Sequence, residues 1–293
     1  MTVNNFLNYL RYERNRSDRT VSSYEESLRD FESYFKNLER QLSWESVDSD
    51  VIRGWMESMM DKGDMASSVN NRLSAVRSFF RYALAHGLVE KDPVHLVRGP
   101  KKAKPLPYFV REAEMDRLID LPQMWDDTDT DLRARTIIIL FYETGIRLAE
   151  LVGLNDQDVD FVSRQLKVTG KRNKQRIIPF GEELAQTLKV YMSQRGQRTD
   201  DDDALVINGR GRRITRGQVQ RIVKIYLTRV TTMKKRSPHV LRHSFATAML
   251  NNGAGLESVR RLLGHESVAT TEIYTHTTFE QLKKVYENAH PRA

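Results

Sequence analysis

A tyrosine at 274 sits in the run LLGHESVATTEIYTH, with His265 nine residues upstream, and the segment SPHVLRHSFAT before it carries His239 and Arg242. Two further cations stand earlier, Arg147 in TGIRLAEL and Lys171 behind a glycine in VTGKRNKQRIIPF. Residues of these types suit phosphoryl transfer without a metal. A phenol, with a pKa of about 10, must lose its proton to a neighbour, or have its anion stabilised by nearby positive charge, to act as a nucleophile. Attack on a phosphodiester concentrates negative charge on the non-bridging oxygens, and guanidinium forks bind those oxygens with charge-assisted hydrogen bonds that strengthen in the transition state. Arg147 and Arg242 are the pair assigned to that task, because arginine fits phosphate and keeps its charge. His239 and Arg242 lie three residues apart on a predicted helix, so both can converge on one phosphate. Lys171, at a hairpin tip sharpened by Gly170, can protonate a leaving 5′ oxygen as a general acid. His265 would donate to a non-bridging oxygen, while His239 would either accept the phenol proton or hold a phosphate oxygen.

Each residue also has a plainer explanation when taken singly. A tyrosine packs in cores, and Arg147 could simply pair with Glu150. His239 and His243 could suggest zinc, but HVLRH lacks the glutamate of HExxH and there is no obvious third ligand set. The acidic runs at 126–131 and 156–160 lack the glycine and glutamate of a calcium loop, that at 200–203 sits in a surface turn, and all three are read as solvated loops, which removes the main argument for a metal-dependent nuclease. No GxxxxGK run cradles a nucleotide, so no cofactor is expected. Six groups arriving together in this order weigh against six separate plain explanations.

Elements must exist to position these groups. At 293 residues the chain suits two domains. The first hundred residues show helical periodicity over 3–13, 20–38, 50–61 and 67–86, with Asp48 or Ser49 as N-cap of the third helix and Gly63 as its stop. The fourth carries Leu73, Val76, Phe80 and Leu84 on its inward stripe. Four such helices make a bundle. A Pro- and Lys-bearing stretch follows, read as a linker tracking a nucleic-acid backbone. Beyond residue 108, helices are predicted at 111–121, 134–143, 182–193, 216–227, 239–251, 256–263 and 279–288, with a hairpin at 165–169 and 175–180. Gly253 and Gly264 are expected helix stops.

A net charge of +8 favours a polyanionic partner. Residues 1–100 hold 14 basic against 15 acidic side chains, 101–107 hold three lysines, and 108–293 hold 30 basic against 24 acidic. No apolar run approaches the roughly 18 residues of a membrane span, and the N-terminus does not read as a targeting signal, so a cytoplasmic location without membrane contact is expected. The absence of cysteine fits a reducing compartment and excludes thiol chemistry.

The boxes TGIRLAEL, HVLRHSFATAML and LLGHESVATTEIYTH, in this order over nearly the whole chain, resemble the tyrosine site-specific recombinases, most closely the Xer type. That resemblance implies a mainly α fold: an N-terminal four-helix core-binding bundle (1–98), a linker (99–107), and an α+β catalytic domain with a small antiparallel sheet (108–293). It implies a clamp around duplex DNA, cleavage to a 3′-phosphotyrosine, strand exchange through a Holliday junction, and re-ligation without ATP or metal. The catalytic set carried over is Arg147, Lys171, His239, Arg242, His265 and Tyr274. Arg172 stands where relatives often have glycine. The family implies four protomers, alike or of two kinds, on two DNA sites, with the helix at 279–288 docking on a neighbour; in a free monomer it could fold back on its own domain. A sister recombinase and a DNA-translocating motor are possible partners. Resolution of chromosome dimers is favoured over mobile-element integration, because integrases commonly carry an added N-terminal domain. A type IB topoisomerase and a non-catalytic DNA-binding protein are the remaining rivals.

Overall fold

The computed structural model describes residues 2–102, 108–126, 128–170, 173–199, 203–264 and 276–293, with only the backbone described for 276–278. Lys171, Arg172, His265 and Tyr274 lie outside the described residues. The chain forms two compact units, Met1–Pro105 and Leu106–Ala293. No described helix is long and apolar enough to cross a membrane.

The first unit is built from α1 (Val3–Asn8), which runs on into a π-helical turn at Tyr9–Glu13, α2 (Asp18–Leu38), α3 (Ser49–Asp61) and α4 (Ala66–Ala85). Asp48 caps α3, its Oδ1 accepting from the Asp50 and Val51 amides at 2.9 and 3.0 Å. Phe6, Phe31, Phe35, Trp44, Trp55, Phe79 and Phe80 fill the core. The ring of Trp44 lies 4.3 Å from that of Phe79 and 5.2 Å from that of Phe35. On α4 the expected stripe holds at Leu73, Val76 and Phe80, but Leu84 in the last turn is exposed and Ala83 is buried instead. The segment after α4 is tied to this unit: Val94 and Val97 join its core, and the Val97 and Pro100 carbonyls accept from Arg77 and Asn70 at 2.7 and 2.8 Å.

The second unit contains α5 (Glu112–Asp120), α6 (Asp129–Thr144), α7 (Leu148–Val152), β1 (Val159–Asp160), β2 (Gln165–Thr169), β3 (Gln175–Pro179), α8 (Glu182–Gln194), α9 (Arg216–Thr228), α10 (Pro238–Asn251), α11 (Leu256–Leu263) and α12 (His276–Ala289). The sheet is antiparallel in the order β1-β2-β3, with Leu166 opposite Ile178 and Val168 opposite Arg176. Helix α6 is buried almost all round from Ile137 to Thr144 and packs against α8, α9 and α10.

Two acidic runs expected to be solvated loops instead hold the structure together. Helix α6 starts five residues earlier than predicted because the Thr128 hydroxyl accepts from the Asp131 amide at 3.1 Å. The Asp131 carboxylate is buried and accepts from the Thr128 and Tyr226 hydroxyls. Asp156 pairs with Arg195 at 2.5 Å and with Arg198, and Asp160 closes a turn by accepting from the Val162 and Ser163 amides. Charge in a short run thus goes into caps and ion pairs.

In this single chain α12 packs on its own domain. Leu282, Tyr286 and Ala289 enter the core, and Arg292 bridges to Asp120 at 2.6 Å, Asp116 at 3.0 Å and Glu183 at 2.5 Å. Beneath it, Glu143 accepts from the Gly181 amide at 3.0 Å and the Tyr286 hydroxyl at 3.3 Å, and burial pushes its carboxyl up to about 8.

His290 is stacked on Phe245 and Tyr286, and its partners settle the tautomer: Nε2 donates to the Tyr142 carbonyl and Nδ1 accepts from the Arg292 amide, each at 3.1 Å. Burial, with a smaller push from the Arg292 charge, lowers its pKa from 6.5 to about 4. Between those values the unfolded chain binds the extra proton and the folded one does not. The contribution of this ring is therefore complete above about pH 6.5 and is lost as the pH falls toward 4. Thermal melts should show the wild type losing stability over that window more steeply than His290→Gln. Parallel curves would rule out His290 as a source of the acid sensitivity.

Candidate active site

Three arginines converge on one end of one helix. The last turn of α11 leaves carbonyls without helical partners, and a helix C-terminus carries partial negative charge. Arg176 Nε donates to Leu262 O at 2.9 Å, Arg242 Nη2 to Leu263 O at 2.6 Å, and Arg147 Nη2 to Gly264 O at 2.7 Å. Three consecutive carbonyls thus each take a guanidinium from a different element: the start of α7, strand β3 and helix α10. Arg242 Nη1 also donates to Gly145 O at 2.6 Å, fastening the end of α6 to the same cluster. Both helices end on a left-handed glycine, Gly145 at φ 58° and Gly264 at φ 63°. A Cβ on Gly145 would lie 2.5 Å from Phe245 and 2.8 Å from Leu263, so the close approach itself requires glycine there.

One carboxylate organises the cations. Glu150, on α7, accepts the Arg147 amide on Oε2 at 2.7 Å and Arg147 Nη1 on Oε1 at 2.9 Å. Arg176 adds Nη1 to Oε1 at 2.7 Å and Nη2 to Oε2 at 3.0 Å. Burial alone would raise the Glu150 pKa; the bonds and charge of Arg176, followed by the bonds from Arg147, outweigh it and hold the carboxyl at about 2. Arg242 is 8% exposed, and burial together with the charges of Arg147 and Arg176 lowers its pKa to about 10, which leaves it cationic at neutral pH.

Of the six residues expected to share a site, the structure brings Arg147 and Arg242 together. The plain reading of Arg147, a pairing with Glu150, holds as well, and it leaves the side chain 38% exposed. His239 stands in the first turn of α10, exposed, one turn before the buried Arg242. Its neighbour His243 is also exposed, with a pKa lowered by partial burial and then by the charges of His239 and Arg242. Lys171, His265 and Tyr274 lie outside the described residues; the residues preceding two of them, Gly170 and Gly264, are described. Lys171 follows Gly170, whose amide donates to Lys174 O at 2.7 Å across the hairpin, and a Cβ built on Gly170 would lie 3.3 Å from Glu150 Oε1. His265 follows Gly264, whose carbonyl Arg147 holds.

Sequence reasoning missed Arg176 altogether. Its signal is the alternation of β3, where Arg176 is buried with Ile178 while Ile177 is 44% exposed.

A guanidinium cluster built around a helix end, with one internal carboxylate, has the chemistry to bind a phosphate-like anion. Comparison with known proteins places the chain in a family. A model of the phage integrase family matches residues 108–281, and one of the phage integrase N-terminal SAM-like domain matches residues 3–87. The chain is 38% identical to tyrosine recombinase XerC of Chlorobaculum parvum, over 98% of this chain and 94% of that one. It is 34% identical to tyrosine recombinase XerD of Oceanobacillus iheyensis, over 99% and 98% respectively. The XerH site-specific recombinase, bound to a palindromic difH substrate in a post-cleavage complex, shares the fold at a TM-score of 0.73 and 22% identity, over 92% of this chain and 80% of that one.

Proposed function

Because the chain belongs to the phage integrase family of tyrosine recombinases, we propose that it cuts and rejoins duplex DNA through Tyr274. The phenolic oxygen attacks the scissile phosphorus, the P–O5′ bond breaks, and the DNA 3′ end is left esterified to the tyrosine. The phenol proton passes to a neighbour, for which His239 is the candidate, and Lys171 gives a proton to the departing 5′ oxygen. Arg147 and Arg242 hold the non-bridging oxygens, assisted by His265. The phosphodiester energy is retained in the tyrosyl ester, so attack by a 5′ hydroxyl restores the duplex without ATP or metal. The single observation that supports this reading is the convergence of Arg147, Arg176 and Arg242 on the end of α11, from which the chain leads directly to His265 and Tyr274.

In this reading residues 1–98 are a core-binding domain, 99–107 a linker and 108–293 the catalytic domain. Four protomers act on two DNA sites in the cytoplasm through a Holliday junction, with a sister recombinase and a DNA-translocating motor as partners, to resolve chromosome dimers. The test is to incubate the full chain with fragmented genomic DNA in the presence of a metal chelator, quench with detergent, and map the trapped adduct by mass spectrometry after nuclease digestion. A nucleotide 3′-phosphate on Tyr274 is expected. Attachment to another side chain, or cleavage only with added magnesium, would overturn the reading.

A further inference from the structure

Resting on that reading, we infer that Arg176 is a positioning residue for DNA cleavage: it saturates Glu150 and thereby keeps Arg147 free to bind the scissile phosphate. Arg176 is buried, at 8% exposure, and three of its nitrogens are engaged, two on Glu150 and one on Leu262 O. A carboxylate offers about four lone-pair positions. On Glu150 all four are taken, two by Arg176, one by the Arg147 amide and one by Arg147 Nη1.

The consequence falls on Arg147. Its guanidinium gives one bond to Glu150 and one to Gly264 O, and of five donors the remainder are available to a ligand. Were Arg176 absent, each Glu150 oxygen would have an open position, and the two-pronged carboxylate–guanidinium pairing would compete for Arg147. A planar fork turned onto Glu150 is turned away from phosphate. Arg176 also grips Leu262 O on the helix that leads to His265, so it sets the same strand, carboxylate and helix end relative to one another.

Stability alone is a poor explanation for this residue. A buried ion pair is often no better for stability than apolar side chains of similar volume, because both charges lose their water. Position 176 lies opposite Val168 on β2 and on the same face as Ile178, a place where an apolar side chain would ordinarily sit. What an apolar residue could not supply is the second claimant on Glu150.

The test uses the full chain and a nicked duplex carrying the sequence on which the wild type forms its adduct, so that cleavage is trapped in one turnover. Arg176→Met is expected to slow adduct formation about 100-fold, the scale of an ångström-level misplacement, and to change DNA affinity less than threefold. Arg176→Lys, which keeps the charge but not the fork, should fall between Met and wild type, and it decides the question if the Met variant does not fold. If Arg176 acts through Arg147, Arg147→Lys combined with Arg176→Met will cleave no more slowly than Arg147→Lys alone. Cleavage by both single variants within threefold of wild type, multiplying defects in the double variant, or affinity falling in step with cleavage would each overturn the inference while the tyrosyl reading stands. A wild type that forms no adduct would overturn both.

Discussion

Tyr274→Phe is expected to bind the same DNA as the wild type and to form no covalent adduct with it. The substitution removes one oxygen and keeps the ring, so it is a small change to the chain. Affinity for DNA comes mainly from basic side chains that displace counterions from phosphates, and none of those is touched. The proposed nucleophile, by contrast, has no substitute: a phenyl ring cannot form the ester that stores the bond energy. Loss of a covalent nucleophile costs more than roughly 10⁴-fold in systems where it has been isolated, which on a denaturing gel reads as absence of the slow-migrating species. Adduct at wild-type yield in the Phe variant would move the chemistry to another residue.

Arg242→Lys should slow cleavage by about 100- to 1,000-fold, the scale of one lost transition-state donor, with a pH dependence that the wild type lacks. Arg242 is the more buried of the two phosphate-binding candidates and links Gly145 O and Leu263 O through separate nitrogens. A lysine can point its charge at only one place. The environment also acts on that charge. Burial and the neighbouring guanidiniums take arginine from 12.5 to about 10; the same causes push a lysine, ordinarily at about 10.4, down toward neutral pH. A lysine so lowered gives up its proton more readily than arginine as the pH rises. Single-turnover rates for the Lys variant should therefore fall relative to wild type as the pH rises from 7 to 9. A constant ratio across that range would show that charge at this position is not what the reaction uses.

Much of this arrangement was legible in residue order because helices announce themselves by period and punctuation. The bundle helices, the hairpin and the stops at Gly253 and Gly264 follow from apolar spacing and from glycines that here adopt φ 87° and 63°. Motif order alone pointed to Arg147 and Arg242. What stayed hidden depends on partners distant in the chain. Asp131 looks like a loop residue until Tyr226, 95 positions away, donates to it. Arg176 looks solvent-facing because the two isoleucines after it invite the opposite reading of strand register, and a one-residue shift exchanges the faces. Only Glu150, 26 positions away, and Leu262, 86 positions away, explain why the arginine is the residue turned inward. Short α7 was missed for a related reason: five residues carry too little periodicity, and its start depends on the Glu150 carboxylate accepting the Arg147 amide.

Among the described residues, the three guanidiniums at the end of α11 face one carboxylate, an excess of positive charge. In the proposed reaction a resting phosphodiester brings one negative charge to them. Once the phenolic oxygen has given its proton to a neighbour and closed on phosphorus as the fifth oxygen, the anion carries close to two. A site with such a surplus favours the pentacoordinate species over the intact backbone, and the imbalance of the empty site then contributes to the rate of the proposed cleavage.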